Sequence, residues 1–170
     1  MTDIANDTLG RSWVTTRDSA CLLSPVTGVV RNCVTLSVPM PILAAAGFDG
    51  GMLIVGGEGL HVVDPSTGAR LDTVVAAQQF GAIEDVAISG TELWFTSAEL
   101  GSDVLHRYSL NSRTELQTIS MGFRGAKGLI VHDGQPVVFT ETGFRVEFSL
   151  DGGSRATRMV GSWVGAADPP

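Results

Sequence analysis

The chain has 170 residues, of which 44% are hydrophobic and 17% charged, a balance typical of a folded protein rather than a disordered one. The formal net charge of −7 argues against a surface for nucleic acid or anionic membrane, because both need positive charge. No stretch approaches the roughly 20 apolar residues that cross a bilayer. The first ten residues lack the basic and apolar segments of a secretory signal, so we expect a cytoplasmic protein or one whose export signal has been removed.

The first predicted unit contains three strands. They are SWVTT (12–16), CLLS (21–24) and VVRNCVTL (29–36), and no strand is predicted ahead of residue 12. Cys21 and Cys33 fall on the two arms of one hairpin. Because cross-strand disulfides are uncommon, we expect two reduced, partly buried thiols.

Three further units follow, each with four short strands. They comprise ILAAA, LIVGG, HVVD and ARLDTVV (42–75), then EDVAIS, LWFTS, LHRYS and TELQTI (84–119), then GLIVH, VVFTE, RVEFS and RATRMV (128–160). The residues before equivalent turns, Ser24, Asp64, Ser109 and Ser149, are spaced by 40, 45 and 40. Four strands rich in Val, Ile, Thr and aromatic residues, joined by Gly turns at this period, predict β-propeller blades.

Two stretches also carry a family resemblance. GMLIVGGEGLHVVDPSTGARLDTVV and GLIVHDGQPVVFTETGFRVEFSLDGG resemble blades of the YVTN, NHL and quinoprotein-like propellers. The resemblance implies the architecture but does not select a function, because that superfamily includes lactonases, lyases, binding modules and scaffolds. The chain lacks the ordered tryptophan pattern of true quinoproteins, so we predict no quinone and no other cofactor.

The sequence therefore predicts an all-β propeller of four four-stranded blades. Their predicted bounds are 10–37 plus 161–168, 40–76, 82–120 and 126–160. SWVGAAD (162–168) resembles the start of unit two and is predicted to supply the missing strand of blade 1, since propellers commonly close on a blade built from both chain ends. Three arrangements stay open: a four-bladed ring, an eight-bladed ring of two chains that exchange terminal strands, and a piece of a larger propeller.

Acidic residues occur in every predicted loop between the second and third strands of a blade. They are Asp18, Glu58, Glu99 and Glu141. A ring of carboxylates would suit a divalent cation. Solvated acids are also the ordinary content of loops in an acidic protein, and we favour that interpretation.

Apolar, amide and charged residues in two sets of predicted loops are candidates for binding a protein partner. They are Gln78, Gln79, Phe80, Glu99, Asp103, Phe123 and Arg124. The long-loop residues among them could equally be plugs between neighbouring blades. Cys21, His61 and His106 occupy one column of the third strands, too far apart for zinc, and are expected to be packing or surface residues.

No motif of a nucleophile elbow, phosphate loop or zinc site appears. We therefore predict no catalytic residues, and a non-enzymatic binding or assembly module whose partner is another protein or a second copy, with no nucleic acid and no membrane. The alternative is a small lactonase-type or lyase-type propeller enzyme that holds a metal with its loop carboxylates.

Overall fold

A computed structural model describes residues 3–76 and 79–159. The described chain forms sixteen strands in four antiparallel four-stranded sheets, arranged as a four-bladed propeller, which confirms the predicted fold class. Its helical content is a single 3₁₀ turn, Asp49–Gly51. Within these two ranges no helix is long and apolar enough to cross a membrane.

Each blade runs in chain order from its inner to its outer strand. Blade 1 contains β1 (Asp3–Asn6), β2 (Ser12–Thr15), β3 (Ser19–Leu23) and β4 (Val30–Thr35). Blade 2 contains β5 (Ala44–Phe48), β6 (Met52–Gly57), β7 (Gly59–Val63) and β8 (Arg70–Val75). Blade 3 contains β9 (Ala82–Ser89), β10 (Glu92–Ala98), β11 (Asp103–Ser109) and β12 (Thr114–Ser120). Blade 4 contains β13 (Ala126–His132), β14 (Gln135–Thr140), β15 (Phe144–Phe148) and β16 (Ser154–Arg158).

The inner strand of blade 1 differs from the prediction. We expected no strand ahead of residue 12, but β1 pairs antiparallel with β2 along its whole length, so that expectation is wrong. β1 therefore occupies the inner-strand position of blade 1 that was predicted for residues 162–168. Residues 162–168 lie outside the described part of the chain. The strand was missed because four residues of mixed polarity give no alternating pattern.

Turn geometry and burial explain why the predicted hairpins form. Asp133 and Gly134 have φ of 50° and 75°, the two positive values that a tight hairpin with right-handed twist requires. The second strands are buried on both faces because each blade is stacked between neighbours, as in the fully buried run from Leu53 to Gly57. The outer strands are mostly exposed, as β16 shows.

Apolar clusters join consecutive blades. One packs blade 1 on blade 2 around Trp13 and Val55, a second packs blade 2 on blade 3 around Ile54 and Phe95, and a third packs blade 3 on blade 4 around Trp94. Inner strands touch closely here, since a Cβ added to Gly47 would lie 1.8 Å from the Asn6 carbonyl oxygen. These clusters fix where the loops stand.

Candidate functional site

Seven loops lie at one end of the propeller, which we call the loop face. Because the strands of a blade alternate in direction, the links from second to third strand emerge at the same end as the links to the next blade. The first set is 16–18, 58, 99–102 and 141–143, and the second is 36–43, 76–81 and 121–125, of which 77 and 78 lie outside the described residues. Loops held by rigid blades are common binding sites.

The four loop acids are not brought together as a metal site. Glu58, Glu99 and Glu141 are exposed. Asp18 is half-buried and accepts hydrogen bonds from the Thr16 hydroxyl at 3.2 Å and the Ser19 hydroxyl at 2.7 Å. In the described ranges, no three His, Cys, Asp or Glu side chains are grouped so as to hold a metal ion.

Two loops of blade 3 form one connected unit, which we call the blade 3 loop pair and define as 99–102 and 121–125. The Asp103 backbone N–H donates to the Phe123 carbonyl at 2.8 Å, and the Met121 N–H donates to the Asp103 carbonyl at 3.1 Å. The Arg124 guanidinium reaches the Glu99 carbonyl at 3.5 Å. Loop 121–125 is therefore bound to the first residue of β11, and the Arg124 contact links it to loop 99–102.

The most exposed apolar side chain of the described chain stands at the tip of this loop pair. Leu100 is 103% exposed. Glu99 and Arg124 beside it are also exposed, whereas Phe123 is half-buried against the cluster between blades 3 and 4. An apolar tip flanked by opposite charges offers one apolar and two polar contacts to a partner.

The remaining candidates differ in their surroundings. Asp103 is 5% exposed and its carboxylate accepts from the Ala126 N–H at 2.8 Å, so it links blade 3 to blade 4. Phe80 packs edge-on against Phe95 at 5.3 Å between ring centroids and is half-buried, as the plug interpretation expected. Gln79 is exposed, and Gln78 lies outside the described residues.

A buried polar network beneath this surface was not anticipated. His106 Nε2 lies 2.8 Å from the Ser97 hydroxyl, and His106 Nδ1 lies 2.6 Å from Glu115 Oε1. The order of hydroxyl, imidazole and carboxylate is that of a nucleophile, its base and an orienting acid. Ser97 is fully buried, however, so its oxygen does not reach a substrate in this conformation. We assign the network to holding together three strands of blade 3.

The third-strand position that holds His106 in blade 3 is equivalent to Cys21 in blade 1 and His61 in blade 2. In all three blades the side chain at this position links the third strand to the fourth. In blade 2, His61 Nδ1 lies 3.1 Å from the Thr73 hydroxyl. Burial, assisted by the positive charge of Arg70, lowers the pKa of His61 below its ordinary value. In blade 4 the column holds Val146, which pairs with Ala156. The histidines are structural links here rather than zinc ligands.

In blade 1 the link is covalent. Cys21 and Cys33 form a disulfide, so the expectation of two reduced thiols is wrong. A register shift between Ala20 and Leu22 places Cys33 beside Cys21, and this irregularity has no sequence signature.

The inner strands of all four blades line a central cavity of about 410 Å³. Ile4, Ala46, Ile88 and Ile130 contribute apolar surface, and His132 stands among the few polar side chains. The cavity contains no grouped acids or bases and is a second, less specific candidate for a ligand.

Comparisons with known proteins identify the fold alone. No protein-family model matches the chain, and no curated protein sequence matches it. A chain of the Kuenenia stuttgartiensis hydrazine synthase structure superposes with a TM-score of 0.67 at 14% identity, over 91% of this chain and 48% of that one. A chain of a mitotic checkpoint complex gives a TM-score of 0.66 at 14% identity, over 89% and 47%.

A solved protein of about the same length as this chain gives a lower TM-score. The computationally designed Ika4 protein superposes with a TM-score of 0.56 at 15% identity, over 94% of this chain and 91% of that one. The chain spans about half the length of the hydrazine synthase chain and of the mitotic checkpoint chain. These likenesses support the propeller architecture, and the resemblance to YVTN, NHL or quinoprotein-like blades in particular stays a prediction.

Proposed function

We propose that the protein is a non-enzymatic β-propeller binding module that contacts a protein partner through the blade 3 loop pair. The supporting observation is Leu100, a fully exposed leucine at the tip of a loop that the Arg124 guanidinium joins to loop 121–125 through the Glu99 carbonyl. A partner that covers this leucine removes apolar surface from water, and that burial is the dominant favourable contribution to most protein association.

The chemistry of the loop pair indicates what the partner presents. Leu100 requires a shallow apolar pocket, while exposed Glu99 and Arg124 require a basic and an acidic group at its rim. An apolar centre with a charged rim is the usual anatomy of a protein interface. The exposed acids Glu58 and Glu141 on the other loops favour a partner that is basic overall.

The test uses capture from an extract of the producing cells, followed by measurement of Kd with the purified captured protein. Leu100→Asp and Arg124→Glu are each expected to raise Kd by about tenfold or more, the effect of losing an interface anchor. Leu116→Asp is the matched control, because Leu116 is 49% exposed on the outer strand of the same blade. An unchanged Kd for both loop variants, or a specific turnover that Glu99→Gln abolishes, would contradict the proposal.

A further inference from the structure

A cleft opens at the end of the propeller opposite the loop face, where turns of blades 1, 2 and 3 meet. It has a volume of about 450 Å³, within the range of roughly 300 to 1,000 Å³ that small-molecule sites commonly have. Gly90 lies on its border, and a Cβ added there would meet no atom within 4 Å, so this side of the cleft is open to solvent. We call this site the turn cleft and define it by Phe48, Asp49, Ile88, Thr91, Leu110 and Asn111.

The floor of the turn cleft is apolar and is held in place by packing. Phe48, Ile88 and Leu110 are half-buried and pack against the cluster between blades 2 and 3. Gly47 and Ile88 border both this cleft and the central cavity, so the floor continues into the apolar surface of the inner strands. A ligand that covers the floor removes apolar surface from water, which favours binding.

The rim of the turn cleft carries polar side chains that the fold does not use. Asp49, Thr91 and Asn111 are exposed, and within the described ranges their side-chain oxygen and nitrogen atoms have no hydrogen-bond partner. Asp64, in another turn at the same end of the propeller, differs because its carboxylate accepts from the Thr67 hydroxyl at 2.9 Å. The rim therefore offers unused hydrogen-bond acceptors to a ligand.

Asp49 gives the turn cleft a negative charge. It is the one charged residue among the described residues that line the cleft, and it forms no ion pair within the described part of the chain. Arg11, in the neighbouring turn of blade 1, is bound instead to the Asp7 carboxylate at 2.7 Å. The aromatic ring of Phe48 adds to the attraction for a cation, because the face of such a ring is negative. These features favour a ligand with a positive group and an apolar body.

We propose that the turn cleft binds a small organic primary amine, with its ammonium group at Asp49 and its apolar part on the floor. A primary ammonium has three N–H donors. The Asp49 carboxylate, the Asn111 carbonyl oxygen and the Thr91 hydroxyl are acceptors of the kind that it needs. The site lies at the other end of the propeller from the blade 3 loop pair, so this inference does not depend on the proposed protein partner.

The test is a titration of the isotope-labelled full chain with 2-phenylethylamine, followed by the backbone amide signals in NMR spectra. We expect a Kd of about 1 mM or lower, as for a fragment-sized ligand, with shifts at the Thr91 and Leu110 amides. The neutral probe 2-phenylethanol has nearly the same shape and lacks the charge. It should bind about tenfold more weakly, the usual effect of losing a hydrogen bond between charged groups.

Substitutions at the rim separate charge from shape. Asp49→Asn keeps the side-chain shape and should raise the Kd of the amine by about tenfold, while leaving that of the alcohol unchanged. Asp133→Asn is the matched control, because Asp133 is an exposed acid in the corresponding turn of blade 4 and does not line the cleft. Asn111→Asp adds a second negative charge to the rim and should lower the Kd of the amine by about threefold.

Four results would overturn the proposal. They are equal Kd values for the amine and the alcohol, a Kd for the amine that does not change in folded Asp49→Asn, shifts confined to the loop face, and tighter binding of a lysine-containing tripeptide than of the amine. The last result, if it depended on Asp49 in the same way, would assign the cleft to a protein side chain. If Asp49→Asn does not fold, Asn111→Asp decides, since an unchanged Kd for the amine there would also contradict the proposal.

Discussion

Blades 1 and 3 each have a tryptophan and a threonine at equivalent positions of their second strands, but among the described residues only blade 1 supplies hydrogen-bond partners for their polar atoms. Trp13 and Trp94 are 3% and 1% exposed. Trp13 Nε1 donates to the Asp7 carboxylate at 2.8 Å, whereas Trp94 Nε1 is buried with no hydrogen-bond partner in the described structure. Both tryptophans are therefore packed in the same way, but only Trp13 has a hydrogen-bond partner in the described structure.

The threonines two residues further on show the same contrast. The Thr15 hydroxyl donates to the Asp3 carbonyl at 3.4 Å, while the Thr96 hydroxyl is buried without a partner in the described residues. Asp7 lies in the five-residue turn between β1 and β2, but the turn between β9 and β10 has only Gly90 and Thr91. Apolar packing is thus fixed by the repeat, and polar pairing by the individual turn.

The largest expected effect concerns the link between third and fourth strands, covalent in blade 1 and a hydrogen bond in blade 3. The double variant Cys21→Ala, Cys33→Ala opens a loop with a sequence separation of 12, which we expect to cost about 3 kcal/mol in the free energy of unfolding. In blade 3, Glu115→Gln weakens the hydrogen bond between Glu115 and His106. We expect this variant to lose about 1 kcal/mol in the free energy of unfolding. Urea unfolding measures both, and equal losses would show that the covalent link adds nothing.

Removing the aspartate that distinguishes the two turns should have the next largest effect. The Asp7 carboxylate is buried and accepts from the N–H groups of Leu9, Arg11 and Trp13. Asp7→Ala leaves these donors without an acceptor, so we expect a loss of about 2 kcal/mol in the free energy of unfolding. Asp49→Ala, at an exposed acid of the next such turn, is the matched control and should change little.

The stability difference between wild type and Asp7→Ala should also depend on pH. Burial alone would raise the pKa of Asp7, but hydrogen bonds from Trp13, Arg11 and Leu9 outweigh it and hold the pKa below its ordinary value of 3.8. The stabilisation is therefore present above that ordinary value and is lost as the pH falls through the lower, folded-state value. The gap in Tm between wild type and Asp7→Ala should narrow only below about pH 4. A gap that narrows at neutral pH would contradict this assignment.

The tryptophans give a smaller and more direct comparison. Trp13→Phe and Trp94→Phe remove the same atoms from equivalent buried positions, but only the first breaks a hydrogen bond to a carboxylate. We expect Trp13→Phe to be more destabilising by about 1.5 kcal/mol. Equal losses in chemical unfolding would mean that Trp94 Nε1 has a partner, for example a bound water.

The threonines give the smallest effects, with opposite signs. Thr96→Val keeps the side-chain shape and removes an unpaired buried hydroxyl, so it should stabilise the protein by about 1 kcal/mol. Thr15→Val removes a paired hydroxyl and should destabilise it by about 0.5 kcal/mol. Calorimetry resolves both shifts in Tm. A decrease for Thr96→Val would contradict the assignment of its hydroxyl as unpaired.

Local sequence was sufficient for the architecture. Runs of β-branched and aromatic residues, separated by Gly turns at a period near 40, predicted the four blades, because strand alternation and hairpin turns depend on neighbouring residues. The same reasoning placed Glu99 and Arg124 in loops between strands, where the structure has them.

Other features depended on residues far apart in the chain. β1 forms because the edge of β2 and the Ala45 N–H bind it, not because of any pattern in residues 3–6. The disulfide depends on a register shift, and the Ser97, His106 and Glu115 network depends on three strands meeting. Asp103 became a buried link between blades because the Ala126 N–H of the next blade faces it. Strand identity is a local property of this sequence, whereas register and blade stacking decide which polar groups meet, because both bring together atoms that the sequence order separates.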